Sequence, residues 1–302
     1  MLKRFAAAAA VCALAISPCL RADDKGSDQD QKPNGKGNHV KDPLPQFATP
    51  PGKAKQGGNG IFYHGGPVIL GTTNVYYIWY GSWSNSAMTI LTDLAGAIGG
   101  SQYFNINTTY YNASNMHVSN SVLYAGATTD NYSQGTSLSD AQVQAIVSNA
   151  ITSGRLPSDT NGVYFVLTSA DVNETSGFCT QYCGWHTRGT IAGSDIKYAF
   201  IGNPDRCPSS CEAQTIGPNG NAGADGMASI ISHELEEAVT DPDLNAWYDQ
   251  HGEENADKCA WTFGSLYSVA NGAKANMRLG SRDYLIQQNW VNASGGYCSK
   301  SY

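Results

Sequence analysis

Six cysteines behind an export signal limit the folds open to this chain more than any other feature. Met1-Leu2-Lys3-Arg4 is followed by an apolar stretch from Phe5 to Ile16 and then by Ser17-Pro18-Cys19-Leu20-Arg21-Ala22. That is the charged, apolar and cleavage-region order of a secretory signal peptide, here taken to be cut after Ala22. Cys179, Cys183, Cys207, Cys211, Cys259 and Cys298 then remain. An even number of thiols in an oxidising compartment predicts three disulfides and no free thiol. Of the connectivities available, proximity along the chain favours Cys179 or Cys183 crossing to Cys207 or Cys211, with Cys259 joined to Cys298. The alternative use of the two Cys-x-x-x-Cys pairs, a four-thiolate zinc site, is disfavoured by export.

Residues 23–58 are rich in Lys, Asp, Gln, Gly and Pro and nearly free of apolar side chains. Such a segment buries too little surface to offset the entropy of ordering it, so it reads as a flexible polar leader. Residues 59–302 are then one globular domain. The full chain has a net charge of −7, and removal of the signal peptide with Lys3, Arg4 and Arg21 takes it to −10. Phosphate recognition needs clustered Lys and Arg, so nucleic acid is excluded as a partner. Beyond the signal peptide no apolar run approaches the roughly 20 residues of a membrane span.

Within 59–302, β-branched and aromatic runs bounded by turn residues predict strands at Val68–Leu70, Asn74–Tyr80, Val118–Ala125, Gly162–Thr168 and Ile196–Gly202. Apolar residues at helical spacing predict helices over Ser86–Ile98 and Ser139–Ile151, the second capped by Ser137 or Ser139. A third helix starts near Asp225-Gly226, carries Met227, Ile230, Ile231, Leu235 and Ala238 on its core face, and ends at Asp241-Pro242.

The third helix also carries the candidate chemistry. His233 and Glu237 are four residues apart, so their side chains lie one turn from each other on one side of the helix. With Glu234 beside His233, the pattern is that of a His-Glu-x-x-His zinc hydrolase with glutamate in place of the second histidine. Zinc accepts carboxylate oxygen, and a catalytic site needs three protein ligands and an open position. Asp257, two residues from Cys259, is the expected third ligand, with His251 and Glu254 in reserve. Glu234 is the expected general base, and His186 and Tyr248 are candidate substrate or transition-state groups. Zinc is the expected metal and calcium the alternative, because a carboxylate-rich site also suits a hard cation. The bland reading is that Glu234, Glu236 and Glu237 form a solvated face. Against it, three acids stand at the negative end of the helix dipole, and no Lys or Arg occurs between Arg206 and Lys258.

Several separated segments carry a family likeness: Tyr63-His64-Gly65-Gly66-Pro67-Val68, Val75 to Ser84, Gly162 to Ser169, Phe178-Cys179 to Cys183-Gly184-Trp185-His186, Cys207-Pro208-x-x-Cys211, Asp225 to Tyr248, and Asp257-x-Cys259. Together they resemble the EXORDIUM, or phosphate-induced-protein, family over essentially residues 59–302. The resemblance implies export, since plant members reside in the cell wall space and are associated with growth and cell expansion. It also implies that His186, His233, Glu234, Glu237 and Asp257 fall on family motif positions. The segment between Cys211 and Asp225 is shorter than plant members tend to have. The combined expectation is a single secreted α/β (α+β) domain of zincin-like character, a mixed twisted sheet with covering helices and one metal-bearing helix. The function expected of it is zinc-dependent hydrolysis of a peptide or protein substrate. The other reading is a non-catalytic extracellular or cell-wall binding protein that keeps a metal, or only the fold, as structure.

Overall fold

The computed structural model describes residues 32–36 and 60–302. The predicted signal peptide and most of the leader lie outside the described residues. Five strands form the central sheet: β1 (Thr73–Tyr80), β2 (Val122–Asp130), β3 (Gly162–Thr168), β4 (Gly184–Ile191) and β5 (Ser194–Ile201), in the order β2–β1–β3–β5–β4. All neighbours are parallel except β4, which runs antiparallel to β5 and forms an edge. The β4–β5 turn is Ala192-Gly193, both at positive φ, the geometry of a two-residue hairpin loop whose twist matches its strands.

Two helices connect the parallel strands: α1 (Asn85–Ile98) between β1 and β2, and α2 (Asp140–Thr152) between β2 and β3. Ser84 caps α1 by accepting from the Ala87 amide. Ser139 caps α2 in a reciprocal box with Gln142, which satisfies amide groups that a helix start leaves without partners. Every residue of β3 is buried, and so are all of β1 except Asn74, because central parallel strands are covered on both faces. β2, at the opposite edge, alternates half-buried and exposed positions and buries only Asp130.

The third helix, α3 (Ala222–Thr240), begins three residues earlier than Asp225, at an Asn221 cap whose side chain accepts from the Ala224 amide. It is not a surface helix. Every residue from Met227 to Thr240 is buried, with α3 packed against α1, β4 and β5 and the loops around them. Val68–Leu70 forms no strand. It runs extended past the end of α3, where the Ile69 amide donates to the Val239 carbonyl and so satisfies a terminal acceptor. The segment around Val118 joins the sheet only from Val122. β4 was absent from the sequence expectations because Gly184-Trp-His-Thr-Arg-Gly-Thr mixes two glycines and polar residues into the run.

Disulfides Cys179–Cys207 and Cys183–Cys211 tie the segment before β4 to the segment before α3, and Cys259–Cys298 fastens the C-terminal region. No helix among the described residues is long and apolar enough to cross a membrane.

Candidate metal centre

Burial of α3 turns its acids from a surface feature into a core problem. Glu234, Glu236 and Glu237 are 3%, 0% and 2% exposed, so the solvated-face reading does not hold. Glu236 points away from the other two, to the side-chain amide of Asn289. Glu237 lies beneath His233, with Oε1 at 3.1 Å from Nε2. Asp257, at the start of a short 3-10 turn that ends on disulfide-bonded Cys259, brings Oδ1 to 3.2 Å from the same nitrogen. Two backbone contacts lock this corner: the Asp257 amide donates to Glu237 Oε1 at 3.1 Å, and the Glu254 amide donates to Asp257 Oδ2 at 3.1 Å.

A second group adjoins the first and shares Glu237. His186, on β4, places Nε2 at 3.2 Å from both carboxylate oxygens of Glu254 and at 3.7 Å from Glu237 Oε2. Both triplets, His233–Glu237–Asp257 and His186–Glu237–Glu254, offer ligand atoms close enough to hold one cation, and all five residues are buried. The sequence placed Glu254 only in reserve.

Glu234 sits at the mouth of this cluster. It lines a small cleft with His233, Tyr182, Gly184, Trp261 and Gln287, and its buried Oε2 has no hydrogen-bond partner among the described residues. Only glycine fits at position 184, where a Cβ would stand 2.6 Å from the Ile230 side chain and 3.0 Å from Glu234 Oε1. Tyr248 is not in the cluster; its ring stacks on His64 at a centroid distance of 3.7 Å. His251 is exposed and turned to Gln250.

The electrostatics follow from burial. Desolvation pulls His186 down to about 3, which leaves a neutral imidazole with a lone pair to donate. Burial also acts on His233, but Glu237, Asp257 and Glu234 outweigh it and raise this histidine well above its ordinary value. Burial first, and then mutual repulsion among the acids, push Glu234 and Glu254 well above the carboxylate range. Four carboxylates packed around two imidazoles thus pay heavily for ionisation without a cation. Lys258, the nearest basic residue in sequence, is directed to Asp249 at 2.9 Å.

Fold and site together define a disulfide-stapled α/β domain with a buried histidine–carboxylate cluster between its longest helix and an antiparallel sheet edge. Residues 61–277 match the family model described as the phosphate-induced protein 1 conserved region, and the chain belongs to that family, the one that includes EXORDIUM. It is 33% identical over 272 residues to Protein EXORDIUM-like 5 of Arabidopsis thaliana, covering 76% of this chain and 74% of that protein. Over 277 residues it is 31% identical to Protein EXORDIUM-like 3 of the same plant, covering 78% and 82%. Protein PHOSPHATE-INDUCED 1 of Nicotiana tabacum is 29% identical over 224 residues, covering 64% and 68%. No solved structure matches.

Proposed function

We propose that the protein is a secreted metal-dependent hydrolase of zincin-like character, with His233, Glu237 and Asp257 holding a zinc ion and a peptide as its substrate class. The observation that carries this reading is the convergence of one imidazole and two carboxylates, all buried, beside a further buried acid that takes no part in the triplet. Tetrahedral ligands about 2.1 Å from zinc stand about 3.4 Å from one another, and His233 Nε2 lies 3.1 and 3.2 Å from its two carboxylate neighbours. A divalent ion there would supply Lewis acidity and a bound water of lowered pKa. Glu234 would then take the proton of the attacking water and deliver it to the leaving amine; burial raises the proton affinity of this carboxyl well above the ordinary carboxylate range. His186 and Glu254, in contact with each other and with Glu237 beside the triplet, would orient the substrate or complete the ligand set. Tyr248, stacked on His64, has no part in this scheme.

Replacing Glu234 by Gln tests the reading because it keeps size and burial while removing the base. Metal content and fold are expected to persist while peptide hydrolysis falls by at least ~10²-fold. His233→Ala is expected to lose metal and activity together. A specific observation supports a second reading: three carboxylates, Glu237, Glu254 and Asp257, dominate the donors, a composition that also suits calcium in a non-catalytic extracellular binding protein. A wild-type protein that binds calcium in preference to zinc and cleaves no member of a broad peptide panel would establish that reading instead.

A further inference from the structure

Five residues of the leader, 32–36, lie on the free edge of the sheet. The His186 amide, which faces the open edge of β4, donates to the Gly35 carbonyl at 3.0 Å, a main-chain bond that satisfies an otherwise unpaired edge donor. Gly35 has φ +69°, and a Cβ there would fall 1.9 Å from the His186 carbonyl oxygen and 3.3 Å from the Leu244 side chain. Glycine is therefore required at this point of the contact. The Asn34 side chain accepts from the Lys36 amide at 2.8 Å and turns the next side chain inward.

Lys36 enters a built pocket. Its ammonium donates to Asp140 Oδ2 at 2.5 Å and to Ser176 Oγ at 2.6 Å. It lies 5.6 Å from the ring centroids of both Tyr182 and Trp185, within cation–π range. Behind them Glu174, 1% exposed, is hydrogen-bonded by the Tyr182 hydroxyl. One acid, a hydroxyl and two aromatic rings meet one primary ammonium, with Glu174 behind them, and this combination of partners suits a lysine. The pocket adjoins the candidate centre, because Tyr182 also lines the cleft of His233 and Glu234, and His186 contributes its amide to the leader and its imidazole to Glu254.

We propose that the outer edge of β4 and the pocket formed by Asp140, Ser176, Tyr182 and Trp185 are a binding groove for a peptide that turns at a glycine and presents the lysine that follows it, and that residues 32–36 are its tethered occupant. Residues 32–36 thereby occupy a groove that shares Tyr182 with the cleft of the candidate centre until an external peptide displaces them or they are cut away. The groove does not depend on a metal being bound, so its test and that of the hydrolase reading fail separately. Tethering holds the leader at an effective concentration of order mM, enough to exclude a free peptide of modest affinity.

The test compares the mature full-length chain with the same chain carrying Gly35→Val and Lys36→Ala, substitutions confined to the leader. The probe is a fluorescein-labelled synthetic peptide of residues 30–38. It is expected to bind the substituted chain at least tenfold more tightly than the wild type. Replacing its second lysine, the one corresponding to Lys36, by alanine should weaken binding to that chain by about tenfold or more, and so should Asp140→Asn added to the chain. The His186 amide should exchange with solvent at least tenfold faster in the substituted chain than in the wild type. Equal peptide binding by the two chains, no binding by the substituted one, indifference to the lysine, or an unchanged His186 exchange rate would each overturn the proposal.

Discussion

Stripping metal from the protein with a chelator tests the physical argument behind the candidate centre, because the acids it would hold together are among the most deeply buried in the molecule. Glu237, Glu254 and Asp257 are 2%, 1% and 7% exposed, and without a metal ion they depend on their own protonation and on a single neighbouring imidazole, His233, for charge compensation. A ligand that binds only the folded state stabilises it by RT ln(1 + [L]/Kd), or about 2.7 kcal/mol at one hundred times the Kd. For domains of roughly 150–250 residues each kcal/mol shifts Tm by about 2–4 °C, so the predicted difference between metal-loaded and stripped protein is about 5–11 °C. Calorimetry or intrinsic fluorescence after chelation, dialysis and graded return of zinc at fixed pH measures it. In His233→Ala and Asp257→Ala the shift should be largely lost, since each removes a ligand. A Tm that stays within about 1 °C from stripped protein to millimolar zinc would refute the reasoning and mean that the acids are accommodated by protonation alone.

Three further outcomes are expected. Thiol titration of the chain without residues 1–22, under denaturing, non-reducing conditions, should find no free thiol, as three disulfides require; reactive thiols that appear only after chelation would contradict the pairing. Asp225→Ala should destabilise by about 1–3 kcal/mol in urea denaturation, because its carboxylate accepts from the Asn219 amide and side chain and from the Asn221 amide at the start of α3. Gly184→Ala should impair the site out of proportion to its size, since a methyl group would meet both Ile230 and Glu234 Oε1; unaltered stability and activity would show that α3 and β4 can separate freely.

Much of the fold was legible because its signals are local. The β3 boundaries coincide with the run Gly162–Thr168, and α1 and α2 start within a residue of their serine caps. The disulfide pattern followed from export and spacing, although the choice within each Cys-x-x-x-Cys pair was set only by the fold. The missing pieces depend on tertiary contact. β4 has weak strand propensity and exists through its hairpin with β5. Val68–Leu70 has strand composition but is used to finish α3. At the site, the helix spacing brought His233 and Glu237 together on paper, and Asp257 was reachable through its neighbouring cysteine. Glu254 was readable only as a reserve ligand, and the shared position of Glu237 between two imidazoles was not readable, because His186 arrives from a strand that periodicity did not reveal. Tyr248, expected as a substrate or transition-state group, stacks on His64.

Elemental analysis of the mature protein, purified without chelators and dialysed against metal-free buffer, is the most direct test of the central claim. Zinc at one or more equivalents per chain, lost in His233→Ala and retained in Glu234→Gln, is the predicted result. A protein that is fully folded, carries no stoichiometric divalent metal and takes none up from micromolar zinc would contradict it.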